Sequence, residues 1–115
     1  MHEKQSVEHL AVEHAARCYQ VLAKHLPVTT TLAELIVLTE IAKGAYSGAP
    51  VTVSDIVRSS GISRWAVSRI VIRYTEGGAI LETKDPADSR RNLLTWTPQT
   101  FKNSSKWASD WAALM

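Results

Sequence analysis

The sequence predicts a mainly α chain with a small β-hairpin, arranged as a winged helix-turn-helix. Three observations lead there. Two short helical segments meet at a glycine-containing turn within residues 52–76. Two short apolar strands, 79–83 and 92–97, follow at once around a polar turn at 84–91. Helical periodicity at 5–25, 31–43 and from Pro98 onward supplies the remaining frame.

In the first helix, 5–25, Val7, Leu10, Ala11, His14, Cys18, Val21 and Leu22 recur on one stripe. Glu13, Arg17, Gln20 and Lys24 fall opposite. Leu26 precedes Pro27 and so avoids helical geometry, which ends the segment. The second helix, 31–43, opens on Thr31 with Glu34 three residues later, the capping-box spacing. Its residues are apolar nearly all round, as suits a buried central helix, and Gly44 is expected to stop it. A loop dense in turn formers, 45–50, should follow.

The third helix, 52–60, repeats the capping pattern with Thr52 and Asp55. Gly61 supplies the left-handed residue that reverses the chain. Ser63 caps the fourth helix, 63–76, whose inward positions are Val67, Ile70, Val71 and Tyr74. Gly77 and Gly78 end it, and the hairpin 79–97 follows. Thr97 then caps a last helix that has Pro98 in its first position, where a missing N–H costs nothing.

The chain of 115 residues has room for one core, so 1–115 is expected to be a single domain. A 45% hydrophobic and 21% charged content is that of a globular protein rather than a disordered tail. No stretch is long and apolar enough to span a bilayer, and Met1–Gln5 carries no secretory leader, so a cytoplasmic location is expected. The single cysteine, Cys18, cannot form an internal disulfide. Enzyme motifs are missing: there is no glycine-rich phosphate loop, nucleophile elbow or zinc-hydrolase helix. A binding protein without a cofactor is the expectation.

Net charge is only +2, so its distribution carries more than its sum. Arg58, Arg64, Arg69 and Arg73 stand in a stretch without a single acid. With Val67, Ile70, Val71 and Tyr74 turned inward, Trp65, Ser68, Arg69 and Ile72 point out, flanked by Arg64 and Arg73. Arginine suits a two-pronged pair with guanine in a major groove. Ser63, Ser68 and the helix N-terminal amides suit phosphate. Exposed Trp65 and Ile72 are unusual for a merely solvated face. In the hairpin, Arg90 and Arg91 would reach the backbone or the minor groove, while Asp85 and Asp88 hold the turn and orient an arginine.

Two stretches then resemble one family. Ile62–Ile80, ISRWAVSRIVIRYTEGGAI, is similar to the recognition-helix region of MarR regulators. Asp85–Thr97, DPADSRRNLLTWT, resembles their wing, with Trp96 where leucine is usual and Ser89 where arginine is common. The match runs over residues 31–98. It implies a dimeric DNA-binding transcriptional regulator, a repressor on an inverted repeat, with Arg64, Ser68, Arg69 and Arg90 as DNA contacts. It also implies that a small-molecule effector is possible. Relatives build their dimer from the first helix and a longer C-terminal region. Here only 17 residues follow Pro98, which leaves Val7, Leu10, Trp107 and Trp111 as the expected seam. Two other readings fit the same residues. One is a non-specific or replication-associated plasmid or phage DNA-binding protein. The other is a winged-helix module that binds protein.

His14 and Cys18 sit four residues apart on one helix face, a spacing that can chelate a metal. A thiol oxidation switch at Cys18 is a second option, and simple packing of both side chains is the plainer one.

Overall fold

A computed structural model describes residues 6–115. Gln5, placed at the start of the first helix by its periodicity, and the leader-free reading of Met1–Gln5 lie outside the described residues. The elements run α1 (Val7–His25), α2 (Leu32–Ser47), α3 (Val53–Ser60), α4 (Arg64–Glu76), β1 (Ile80–Asp85), β2 (Asp88–Trp96) and α5 (Pro98–Ala112). This is the expected mainly helical winged helix-turn-helix. The chain divides into two compact units, 30–102 and 1–29 with 103–115.

Local chemistry sets most helix starts. Ser6, Thr31, Thr52 and Ser63 each accept a hydrogen bond from the amide three residues on. Thr31 with Glu34, and Thr52 with Asp55, complete reciprocal capping boxes. Gly61 ends α3 at φ 73°, where a Cβ would be strained.

The end of α2 differs from expectation. Gly44 does not stop α2; the helix continues to Ser47 and closes on left-handed Gly48. Residues 45–47 are therefore helical rather than loop. Gly44 has another reason to be glycine. It is buried, and a Cβ there would lie 2.7 Å from the Ala49 carbonyl oxygen and 3.2 Å from Val51. The helix interior accepts a glycine so that the returning chain can pass against it.

The core of the 30–102 unit gathers Val37 and Ile41 from α2, Ile56 from α3, Val67 and Val71 from α4, Ile80 from β1, and Leu94 and Trp96 from β2. Every element of the helix-turn-helix and both wing strands thus contribute to one apolar cluster. The strands pair antiparallel from Ile80–Trp96 to Lys84–Asn92. The Leu94 amide also donates to the Val51 carbonyl at 2.8 Å, which joins the wing to the entry of α3.

The hairpin falls where the sequence places it, but its strands are longer and its turn is shorter. Its strands extend to Asp85 and Asp88, leaving Pro86 and Ala87 as the turn. Register shifts after Lys84, and Asp85 faces Asp88 directly. Ser89, Arg90 and Arg91 therefore bulge from β2 without opposite partners, and the two arginines sit beside the tip rather than in it.

The other unit holds α1 and the C-terminal part of α5. Lys24 and His25 both reach Asp110 Oδ2, at 3.0 and 2.7 Å. Trp107 and Trp111 pack ring on ring at 5.4 Å and are half-buried. Cys18 is the one buried apolar residue among the described residues of α1.

Candidate nucleic-acid interface

The site grows from one helix with two unlike sides. Val67 and Val71 bury one side of α4 in the core. That fixes the other: Trp65 is 70% exposed and Ile72 55%, with Arg69 exposed between them. Trp65 therefore does not fold back onto the core. Its indole lies under the Arg69 guanidinium, whose central carbon is 4.9 Å from the ring centroid. Ser68 is half-buried on the same face, and exposed Ser63 caps α4, its Oγ accepting from the Ala66 amide at 3.2 Å while its hydroxyl hydrogen stays available to donate. Arg64 crosses the helix-turn-helix to donate to Ser54 Oγ on α3 at 3.0 Å.

The arginines divide by their partners. Arg64 and Arg69 make no ion pair among the described residues. Arg73 is different: it is paired with Glu34, at the start of α2. Tyr74 donates its hydroxyl to the same carboxylate at 2.6 Å, and the Thr31 hydroxyl donates to it at 3.0 Å. These donors, Tyr74 foremost, hold the Glu34 carboxyl down at about 2 against the desolvation that would raise it. Glu34 is buried, so the bonds around it tie the C-terminal half of α4 to the N-terminus of α2.

Arg91 is also tied inward. Its guanidinium lies 3.4 Å from Asp85 and 3.7 Å from Asp55, the capping carboxylate of α3. The Thr52 amide, donating at 2.9 Å, is the main reason Asp55 titrates below the ordinary carboxylate range. Arg91 thus links the wing to the first helix of the helix-turn-helix. Arg90 extends outward, with its side chain 90% exposed. Asp88 Oδ1 accepts from its backbone amide at 3.0 Å and from its Nε at 3.2 Å, which orients the guanidinium as the sequence suggests.

The sequence marked Glu34 and Asp55 only as helix starts. Their second task, receiving arginines from distant elements, carries no local signature. Nor does Ser54, which receives Arg64, carry one.

The terminal residues are spread more widely. Val7 is 79% exposed and Leu10 48%. His14 Nε2 lies 3.6 Å from the buried Cys18 Sγ. Among the described residues, no three His, Cys, Asp or Glu side chains gather to hold a metal ion. No helix of the described residues is long and apolar enough to cross a membrane.

The fold is that of MarR-type winged-helix regulators. YusO of Bacillus subtilis aligns at TM-score 0.66 and 20% identity, over 95% of this chain and 72% of that one. MarR of E. coli in its apo form aligns at 0.62 and 19%, over 93% and 77%. BpsR of Bordetella bronchiseptica, whose DNA binding is regulated by 6-hydroxynicotinic acid, aligns at 0.58 and 21%, over 99% and 79%. No protein-family model matches the sequence, and no curated protein matches it.

Proposed function

We propose that this chain is a MarR-type transcriptional regulator that binds specific double-stranded DNA as a homodimer on an inverted repeat and represses by occupying it. The observation that carries this reading is the outward side of α4. It presents Arg64 and Arg69 without an acid to neutralise them, next to a wing that extends Arg90. In this reading α4 lies in the major groove with its N-terminal residues on base edges. Arg64 and Arg69 pair with bases, while Ser63, Ser68 and the helix N-terminus take phosphates. Arg90 takes the backbone or minor groove beside it. Arg73 and Arg91 act through Glu34 and Asp55, holding α4 and the wing at the angles that contact requires. Solved structures of the same fold include PcaV of Streptomyces coelicolor, described as a transcriptional regulator in complex with its natural ligand. A small-molecule effector is therefore part of the proposal, without a chemical class assigned.

The dimer in this reading uses the exposed apolar residues Val7 and Leu10, with Trp107 and Trp111 completing the seam. Two recognition helices in a symmetric dimer place half-sites about 10 base pairs apart, one turn of the duplex.

The test is a titration of the chain against its own upstream intergenic DNA and a scrambled duplex of equal length, at physiological salt. A preference of roughly a thousandfold or more supports a specific regulator. Equal and weak binding to both overturns sequence specificity, and no binding to either moves the winged surface to a protein partner.

A further inference from the structure

We infer that the outward stripe of α4 reads a guanine with a thymine beside it, Arg69 taking the guanine and Trp65 the thymine C5 methyl group, with Ile72 extending the apolar surface on the far side of Arg69. The inference rests on α4 being the DNA-reading helix and adds what that helix selects.

Trp65, Arg69 and Ile72 stand at i, i+4 and i+7, so they form one row along the exposed side. The row is apolar, cationic, apolar. Both apolar members stay largely uncovered, at 70% and 55% exposure, although the core of this unit is complete without them. Phosphate contact explains a cation there but gives no reason for an indole and a branched aliphatic chain on either side of it. In the major groove, the one apolar group that a base presents is the C5 methyl of thymine. The cation between them carries a rigid fork of donors whose natural partners are the O6 and N7 acceptors of guanine.

The Arg69 guanidinium is already held over the Trp65 ring, 4.9 Å from its centroid. That contact narrows the rotamers Arg69 must give up when it pairs, and it sets the apolar surface directly next to the fork. One recognition unit is thereby aimed at two neighbouring bases.

The experiment is selection of binding sites from random duplexes with the full chain, followed by single-atom changes in the winning site. Enriched sites should share a guanine adjacent to a thymine. Replacing that thymine by deoxyuridine removes only the methyl group. It should weaken binding by about fourfold, the worth of one buried methyl group, in the wild-type chain but not in Trp65→Ala. Replacing the guanine by 7-deazaguanine should cost roughly tenfold in the wild-type chain and nothing further in Arg69→Ala. Trp65 is on the surface, so its truncation should leave the melting temperature unchanged, and the deoxyuridine comparison stands on the wild-type protein alone. Enriched sites without that pair, or equal affinity for thymine and deoxyuridine, overturn the inference while a sequence-specific regulator still stands. Binding without enrichment of any sequence overturns the proposed function itself.

Discussion

The two compact units of the chain are built on different terms. The 30–102 unit buries a shared apolar cluster drawn from three helices and both strands, and pins it with capping boxes and ion pairs. The terminal unit has one buried apolar residue in α1, Cys18, and leaves Val7, Leu10, Val12 and Tyr19 largely exposed. A segment that satisfies its backbone as a helix yet leaves its apolar side in water is one that gains from association. The winged unit holds its own apolar core; the terminal unit, in the proposed dimer, obtains part of its stability from a second copy.

Core truncation gives the largest test of that contrast. Ile41→Ala removes a fully buried side chain and should cost roughly 2–5 kcal/mol in urea unfolding. Leu10→Ala in dilute protein should cost under about 0.5 kcal/mol. It should instead weaken self-association in sedimentation equilibrium. Equal losses of stability from both would erase the difference between the units.

Glu34→Gln comes next, at about 2 kcal/mol for charged hydrogen bonds lost inside the winged unit. Its pH dependence has a definite sign. The folded carboxyl titrates at about 2, below its ordinary 4.5. A depressed carboxylate contributes stability fully above its unfolded pKa and loses it as pH falls through the folded value. The gap between wild type and Glu34→Gln should therefore be complete above about pH 4.5 and close toward pH 2. A gap that persists unchanged in strong acid would mean the carboxylate charge is not what ties α4 to α2.

Smaller effects separate the arginines. Arg69→Ala should lose about 1–3 kcal/mol of discrimination between bound sequences with an unchanged melting temperature. Arg73→Ala should instead lower the melting temperature, since its partner is Glu34. Arg90→Ala should weaken binding to all duplexes alike and reduce the slope of log affinity against log salt by about one. A base-dependent loss at Arg90 would give the wing a reading role that its backbone contact does not require.

Much of this was legible in the sequence because it is local. Caps at Thr31, Thr52 and Ser63, and the turn at Gly61, act within four residues, so the sequence alone places them. The end of α2 is not legible in the sequence because a glycine such as Gly44 can serve either of two purposes. It looks like a stop, and it serves a close crossing at Ala49 and Val51 that only the folded chain reveals. The strands of the wing run further than the sequence suggests because Lys84–Arg91 has no apolar side chain beyond Pro86 and Ala87, and pairing there follows backbone register rather than side-chain alternation. The partners of Arg73 and Arg91 lie far away in sequence, at Glu34 and Asp55, and no spacing rule reaches them.

The Glu34 contact has a consequence for redesign. Along α4, Arg64, Trp65, Ser68, Arg69 and Ile72 address the outside, whereas Arg73 and Tyr74 belong to α2 through one carboxylate. A graft of the whole helix into another scaffold would arrive with two residues reaching for a glutamate that the host lacks. Rewriting only the five outward positions leaves that anchorage in place. If α4 reads DNA as proposed, new target preferences are best sought as a five-letter edit of this chain rather than as a transplant from it.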